Sequence, residues 1–227
     1  MNKRVGIVLQ ARMDSKRLPG KVMKMICGKP IIGHILDRLR LVKNSDMIVT
    51  ATTEKVIDDI IEEYSCEQGV ACFRGDEDDV LSRFYDLAQY YDLCHIVRAT
   101  SDNPLVDYEE IERLITLHLK SCADYTHAFG QLPVGIGVDC FTIDALKRSW
   151  AKGLKQNHRE HINEYIQERP GFFSINELDI PLEKKASSLR LTVDTLEDFR
   201  RVDAIYKKAD KPGVCITTQE AIRLCDM

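Results

Sequence analysis

The 227-residue sequence contains no apolar run of membrane-spanning length, no internal repeat and no low-complexity linker. It begins Met-Asn-Lys-Arg, but the apolar stretch that follows, Val5 to Leu9, is too short for a signal peptide and predicts a first strand instead. It also lacks a surplus of positive charge. A formal net charge of −4 argues against a nucleic-acid binder, which needs a strong positive field to hold phosphate backbones. The eight cysteines (27, 66, 72, 94, 122, 140, 215 and 225) include no Cys-x-x-Cys pair. Several lie in apolar runs, so reduced thiols serving as small core residues in the cytoplasm are expected rather than a disulfide framework. Neither Gly-x-x-x-x-Gly-Lys-Ser/Thr nor Gly-x-Gly-x-x-Gly occurs, which removes the two common phosphate-binding fingerprints.

What is present is an ordinary globular composition, 44% hydrophobic and 30% charged, long enough for one α/β domain with a substantial core. Val5–Leu9, Met47–Ala51, Val70–Phe73 and Cys94–Ala99 are short apolar runs of the kind buried on both faces of a parallel sheet. Helices are expected between them. Pro30 opens one carrying Ile31, Ile35, Leu36 and Leu39, and Val56, Ile57, Ile60, Ile61 and Tyr64 line a face of the next. Val80, Leu81, Phe84, Leu87, Ala88 and Tyr91 mark a third, and Asp107 caps a fourth with Ile111, Leu114, Ile115 and Leu119.

The rhythm loosens over residues 125–187, where short helices are expected at Ile143–Ala151 and His158–Glu168. It resumes with a strand at Leu189–Val193, a helix opened by Thr195 with Asp198 in a capping-box arrangement, and a last helix from Thr217 or Thr218. The alternation implies a single domain over 1–227, a Rossmann-like, doubly wound, mostly parallel sheet with an inserted excursion at 125–187.

In such sheets ligands collect at the carboxyl ends of the strands. The segment leaving the first strand, Gln10-Ala11-Arg12-Met13-Asp14-Ser15-Lys16-Arg17-Leu18-Pro19-Gly20-Lys21, holds four cations within ten residues of an acidic protein. Cations so crowded repel one another unless an anion joins them, and a polyphosphate is a suitable guest. Pro19 and Gly20 would turn the loop so that Lys21 points back to the strand ends. A solvated basic loop is the plain alternative; the position after the first strand favours function. Asp102 follows the Cys94–Ala99 strand and Asp194 the Leu189–Val193 strand. Singly, each reads equally well as a turn or cap residue. Together, beside the basic loop, they suit a magnesium ion, which takes one or two carboxylates along with substrate phosphates.

The stretch Gln10–Lys21 resembles the opening motif of the CMP-sugar-acid synthetases, the sialic acid and KDO cytidylyltransferases, and most of all that of their spore-coat polysaccharide cytidylyltransferase-like relatives. Asp102 matches the aspartate of the family's Gly-Asp-Glu-Pro motif, although this chain reads Thr-Ser-Asp-Asn-Pro, and Asp194 matches that of its Asp-x-x-Glu-Asp motif. The resemblance implies a nucleotidyltransferase that joins CMP from CTP to a sugar acid or a small acidic or phosphorylated acceptor. Gln10, Ala11, Arg12, Ser15, Arg17 and Lys21 would wrap the nucleotide, with Arg12 and Lys21 on the phosphates, and Asp102 and Asp194 would hold Mg²⁺. Arg74 and Arg83 fall in a segment that borders the nucleotide in the relatives. Residues 125–187 fall where the family places a dimerisation element, so a homodimer is expected in which the partner helps close the acceptor pocket.

Candidates for the acceptor are Arg98, Asn103 and the group Arg159, Glu160 and His161, a polar helix face on the plain reading. The His158-Arg159-Glu160-His161 run is not a zinc-peptidase motif. Asp76 and Asp78 form an Asp-x-Asp, as in metal-dependent glycosyltransferases, yet helix-end stabilisation explains the cluster as readily. Two rivals therefore stand: a nucleotide-sugar glycosyltransferase and a non-catalytic nucleotide-binding subunit.

Overall fold

The computed structural model describes residues 4–209 and 215–225, so part of the charged lead lies outside the described residues. Its strands are β1 (Val5–Gln10), β2 (Met25–Ile26), β3 (Lys29–Pro30), β4 (Met47–Thr53), β5 (Ala71–Gly75), β6 (His95–Thr100), β7 (Tyr125–His127), β8 (Asp139–Thr142) and β9 (Ile175–Glu177). Its α-helices are α1 (Ile31–Leu39), α2 (Asp59–Glu67), α3 (Val80–Tyr90), α4 (Tyr108–Ser121), α5 (Ile143–Lys152), α6 (Gln156–Glu160), α7 (Glu164–Gln167), α8 (Leu196–Ala209) and α9 (Thr218–Cys225). Seven strands form one sheet in the order β5-β4-β1-β6-β8-β7-β9, and β2 pairs with β3 as a small hairpin. β5, β4, β1 and β6 are parallel neighbours, while β8 runs antiparallel to both β6 and β7.

Two cores explain the apolar runs. Ile7 and Leu9 pack with the buried residues of α1, α4, α8 and α9, whereas Val8 packs with those of α3, α5 and α7. Alternate residues of one strand thus serve opposite faces, and both faces are covered. The expected doubly wound, mostly parallel sheet is what forms. The stretch 125–187 contributes β7, β8 and β9 to that same sheet. Its looser pattern reflects strands of three or four residues, too short to show a period.

Four expectations need correction. Leu189–Val193 is extended but is not a sheet strand; its one bridge pairs Arg190 with Val134. β8 already occupies the side of β6, and the backbone of 189–193 instead bonds to loops: Val134 N–H to Leu189 O at 2.8 Å, Leu191 N–H to Val134 O at 2.8 Å and Val193 N–H to Asp102 O at 2.7 Å. Gly135 permits the approach, because it sits at φ +96° and a Cβ there would lie 2.5 Å from Thr192 N.

The helix with Val56 and Ile57 starts later, after a 3₁₀ turn (Val56–Asp58), and leaves Val56, Ile57 and Ile60 exposed while Ile61 is buried. His158–Glu168 is two short helices, α6 and α7, broken where His161 turns extended and Ile162 enters the core. No disulfide forms among the described residues, but of the eight cysteines only Cys140 is fully buried, and Cys27, Cys66 and Cys122 are exposed.

Candidate active site

The loop after β1 starts beside the end of β6, because Gln10 pairs with Thr100 across the parallel ladder. Ala11 is buried and continues the pairing with an N–H to Ala51 O at 3.0 Å. Beyond it the chain closes on itself. Met13 O accepts the N–H groups of both Ser15 and Gly20 at 3.0 Å, and Leu18 is buried beneath the ring. Gly20 is left-handed at φ 65° and leads into a 3₁₀ turn, Lys21–Met23, anchored by buried Val22. That turn sends Lys21 back over the strand ends, as its position after Pro19-Gly20 suggested.

Lys21 Nζ donates to Asp102 Oδ2 at 3.2 Å, Asp194 Oδ1 at 3.1 Å and Val193 O at 3.0 Å. Its side chain is only 12% exposed. The cationic loop and the two aspartates therefore meet at one point of the rim.

Asp102 is set by its neighbours. Its Oδ1 accepts from Thr100 Oγ1 at 2.6 Å, and its carbonyl is held by Val193 N–H. Asp194 is ringed by cations: Arg17 at 2.9 Å and Lys21 on Oδ1, and Arg190 at 2.5 Å on Oδ2. Its partial burial raises the carboxyl pKa, but the bond and charge of Lys21, then Arg190 and Arg17, outweigh this and hold it below the ordinary value. Thr195 and Asp198 form the reciprocal capping box, with Thr195 N–H to Asp198 Oδ2 at 2.9 Å and Asp198 N–H to Thr195 Oγ1 at 3.2 Å. Asp194's side chain is thereby left for the cations.

The donor set fits a divalent ion. Two carboxylate oxygens and one carbonyl oxygen lie within 3.2 Å of a single positive centre. Magnesium accepts such a partial set and completes its octahedron with water and phosphate oxygens.

The remaining candidates divide into two groups. Arg12 and Lys16 are exposed on the loop without an ion-pair partner among the described residues, and Ser15 is half-buried beside them. Arg83 is buried, gives Nη1 to Asp76 O at 2.8 Å and leaves Nε without a partner. Burial, and next the charge of nearby Arg12, pull its pKa down to about 10. An unpaired buried guanidinium N–H near a second arginine is a place where an anion is welcome. Asn103 donates to Thr100 Oγ1 at 2.8 Å, and its buried Oδ1 has no partner.

The second group, apart from Glu160 and His161, is spent on internal contacts. Arg74 ties Asp59 at 2.6 Å, Glu62 at 2.8 Å and the carbonyls of Thr53 and Lys55. Arg98 forms a two-pronged bond with fully buried Asp139, at 2.9 and 2.6 Å, to which the Tyr125 hydroxyl adds a third at 3.0 Å. Arg159 pairs with Asp79 at 3.3 Å and donates to Trp150 O at 2.9 Å, while Glu160 and His161 are exposed at the end of α6. Asp76 accepts the N–H groups of Asp78 and Asp79 at 2.8 Å, and Asp79 caps α3 through Ser82 N–H, as helix-end stabilisation predicts.

Two contributors escaped the sequence reading. Arg190 clamps Asp194, and the four-residue interval between them was the available clue. Buried Asp58 accepts Met13 N–H at 2.7 Å and fixes the start of the basic loop from 45 residues away. Nothing local in the sequence announces that contact.

A mostly parallel α/β sheet carrying a cationic loop and two aspartates at its carboxyl rim is the arrangement expected of a nucleotidyltransferase. Residues 6–222 match the model of one family, Cytidylyltransferase, and the chain belongs to it, among CTP-dependent nucleotidyltransferases. The chain is 35% identical over 213 residues to the spore coat polysaccharide biosynthesis protein SpsF of Bacillus subtilis, covering 91% of this chain and 88% of that one. A solved cytidylyltransferase from Leptospira borgpetersenii superposes with a TM-score of 0.92 at 31% identity, covering 99% of this chain and 94% of the other. The fold is shared more distantly with a CMP:2-keto-3-deoxy-manno-octonic acid synthetase solved with CTP, at a TM-score of 0.69, 16% identity and coverages of 91% and 99%.

Proposed function

We propose that this enzyme transfers CMP from CTP to a small acidic or sugar-like acceptor and releases pyrophosphate, as a step in surface polysaccharide synthesis. The observation that carries the reading is the meeting of Asp102 and Asp194 at the rim, each within 3.2 Å of Lys21 Nζ. The basic loop wraps the triphosphate: Arg12 and Lys16 are exposed and unspent, and Lys21 can turn from the aspartates to a phosphate. An acceptor oxygen attacks the α-phosphorus in line, a hydroxyl acceptor losing its proton to solvent, while the bond to the bridging oxygen breaks and pyrophosphate leaves with the electron pair. Arg12 and Lys21 meet the charge that develops on the phosphates. Asp102 and Asp194 would hold Mg²⁺, which when bound neutralises the triphosphate and braces the leaving group. Asn103, whose buried Oδ1 has no partner, is assigned to an acceptor hydroxyl.

A cytoplasmic homodimer in which residues 125–187 meet a second copy belongs to the same proposal. Among the described residues no helix is long and apolar enough to cross a membrane.

The test is direct. CTP with Mg²⁺ should raise the melting temperature, and CTP screened against sugar acids and small phosphorylated metabolites should yield pyrophosphate with one class of acceptor. If no nucleoside triphosphate stabilises the protein in the presence of Mg²⁺, the proposal fails.

A further inference from the structure

The three oxygens gathered around Lys21 Nζ, at 3.0, 3.1 and 3.2 Å, are the oxygens that make the site fit a divalent ion. A divalent ion would draw the carboxylate oxygens to about 2.1 Å from its own centre. An ammonium and a dication cannot share those oxygens, because their centres would lie within a few ångströms in a partly buried site. Among the described residues Lys21 is the one cation in contact with both aspartates. Of these two aspartates, Arg17 and Arg190 reach only Asp194, and the Arg17 side chain is 63% exposed.

We propose that the Lys21 ammonium occupies the divalent-ion seat in the nucleotide-free enzyme, so that metal enters as the lysine moves to the nucleotide phosphates. The inference deepens the proposed function and rests on its assignment of Asp102 and Asp194. The lysine stem is anchored by buried Val22 and by the turn after Gly20, so the head group swings while the loop stays in place. In the free enzyme the ammonium neutralises two neighbouring carboxylates that would otherwise repel each other. A triphosphate offers it new partners and vacates the seat. Linkage then requires that CTP tighten metal binding by the same factor as metal tightens CTP binding.

The experiment is a Mn²⁺ titration of nucleotide-free protein, followed by the electron paramagnetic resonance of free Mn²⁺. Lys21→Met should bind Mn²⁺ about tenfold more tightly than wild type, since the competitor is gone. Arg17→Met, which removes a nearby charge without emptying the seat, should change the affinity less than about threefold. Equal tightening in both variants would overturn the inference, because a general field effect would then suffice. Binding in wild type with no gain in Lys21→Met would overturn the inference alone. Absence of Mn²⁺ binding in wild type and variant, with CTP present as well, would overturn the metal-holding reading and the inference with it. A second measurement needs no variant. Saturating Mn²⁺ should increase acetylation of Lys21 in the wild-type protein relative to Lys24, read by mass spectrometry, and an unchanged ratio would refute the exchange.

Discussion

Replacing Arg98 by methionine removes one half of a buried ion pair between β6 and β8. Its Nε and Nη2 bond both oxygens of Asp139, which is fully buried between β6 and β7, and the Tyr125 hydroxyl supplies the third contact. Without the guanidinium the carboxylate keeps one hydroxyl partner and no opposite charge. Removing one partner of a buried pair costs roughly 3–5 kcal/mol, because the charge left behind is held away from solvent without its counterpart. For a chain of this size such a loss corresponds to a fall in melting temperature of roughly 6–20 °C.

A control sharpens the test in urea unfolding. Arg98→Met combined with Asp139→Leu should recover about 2 kcal/mol or more, because no buried charge is left behind. A loss under about 1 kcal/mol, or a double variant no better than the single one, would refute the reasoning.

Asp102→Asn should lower pyrophosphate release by on the order of a hundredfold or more, with the melting temperature within about 4 °C of wild type; severe unfolding would make Asp102 a structural turn residue. Lys184, buried against Asp107, Glu109 and Glu110 at 2.8, 2.7 and 3.0 Å, ties the turn Leu182–Lys184 to the start of α4. Burial disfavours its charge, but the carboxylates prevail and its pKa is raised. Lys184→Met should cost about 3 kcal/mol in urea unfolding, and a cost below about 1 kcal/mol would contradict that account. For Asp198, burial raises the pKa, but the Arg190 bond and the N–H groups of Asp194 and Thr195 bring it down to about 2. With the folded pKa depressed, about 2 kcal/mol of stability is present above pH 4 and lost as the pH falls through 2. The advantage of wild type over Asp198→Asn should shrink steeply across that window in thermal melts, and an advantage undiminished between pH 4 and pH 2 would argue against it.

Much of the fold was legible because it is written locally. β1, β4, β5 and β6 each carry a short apolar run bounded by turns, and α3 and α4 carry apolar residues at helical spacing behind acidic caps. The Thr195–Asp198 capping box formed as read, and the Thr217–Glu220 pair repeats it, with N–H to carboxylate at 3.1 Å and N–H to hydroxyl at 3.2 Å. Val56, Ile57 and Ile60 misled because periodicity reports a face without reporting what covers it. Leu189–Val193 misled for a related reason: an apolar, β-branched segment looks alike in a sheet and in a strap over loops.

The sequence by itself determined the alternation of strands and helices, the basic loop closed by Pro19 and Gly20, and the placement of Asp102 and Asp194 just past apolar runs. These follow from backbone preference and local spacing. Only the tertiary structure decided which charges are free to act. Arg74 and Arg98 look like ligands in the sequence but are consumed by Asp59, Glu62 and Asp139, while Lys21 reaches aspartates 81 and 173 residues away. An ion pair depends on distance in space, and residue spacing along the chain carries no record of that distance once the partners lie on different strands.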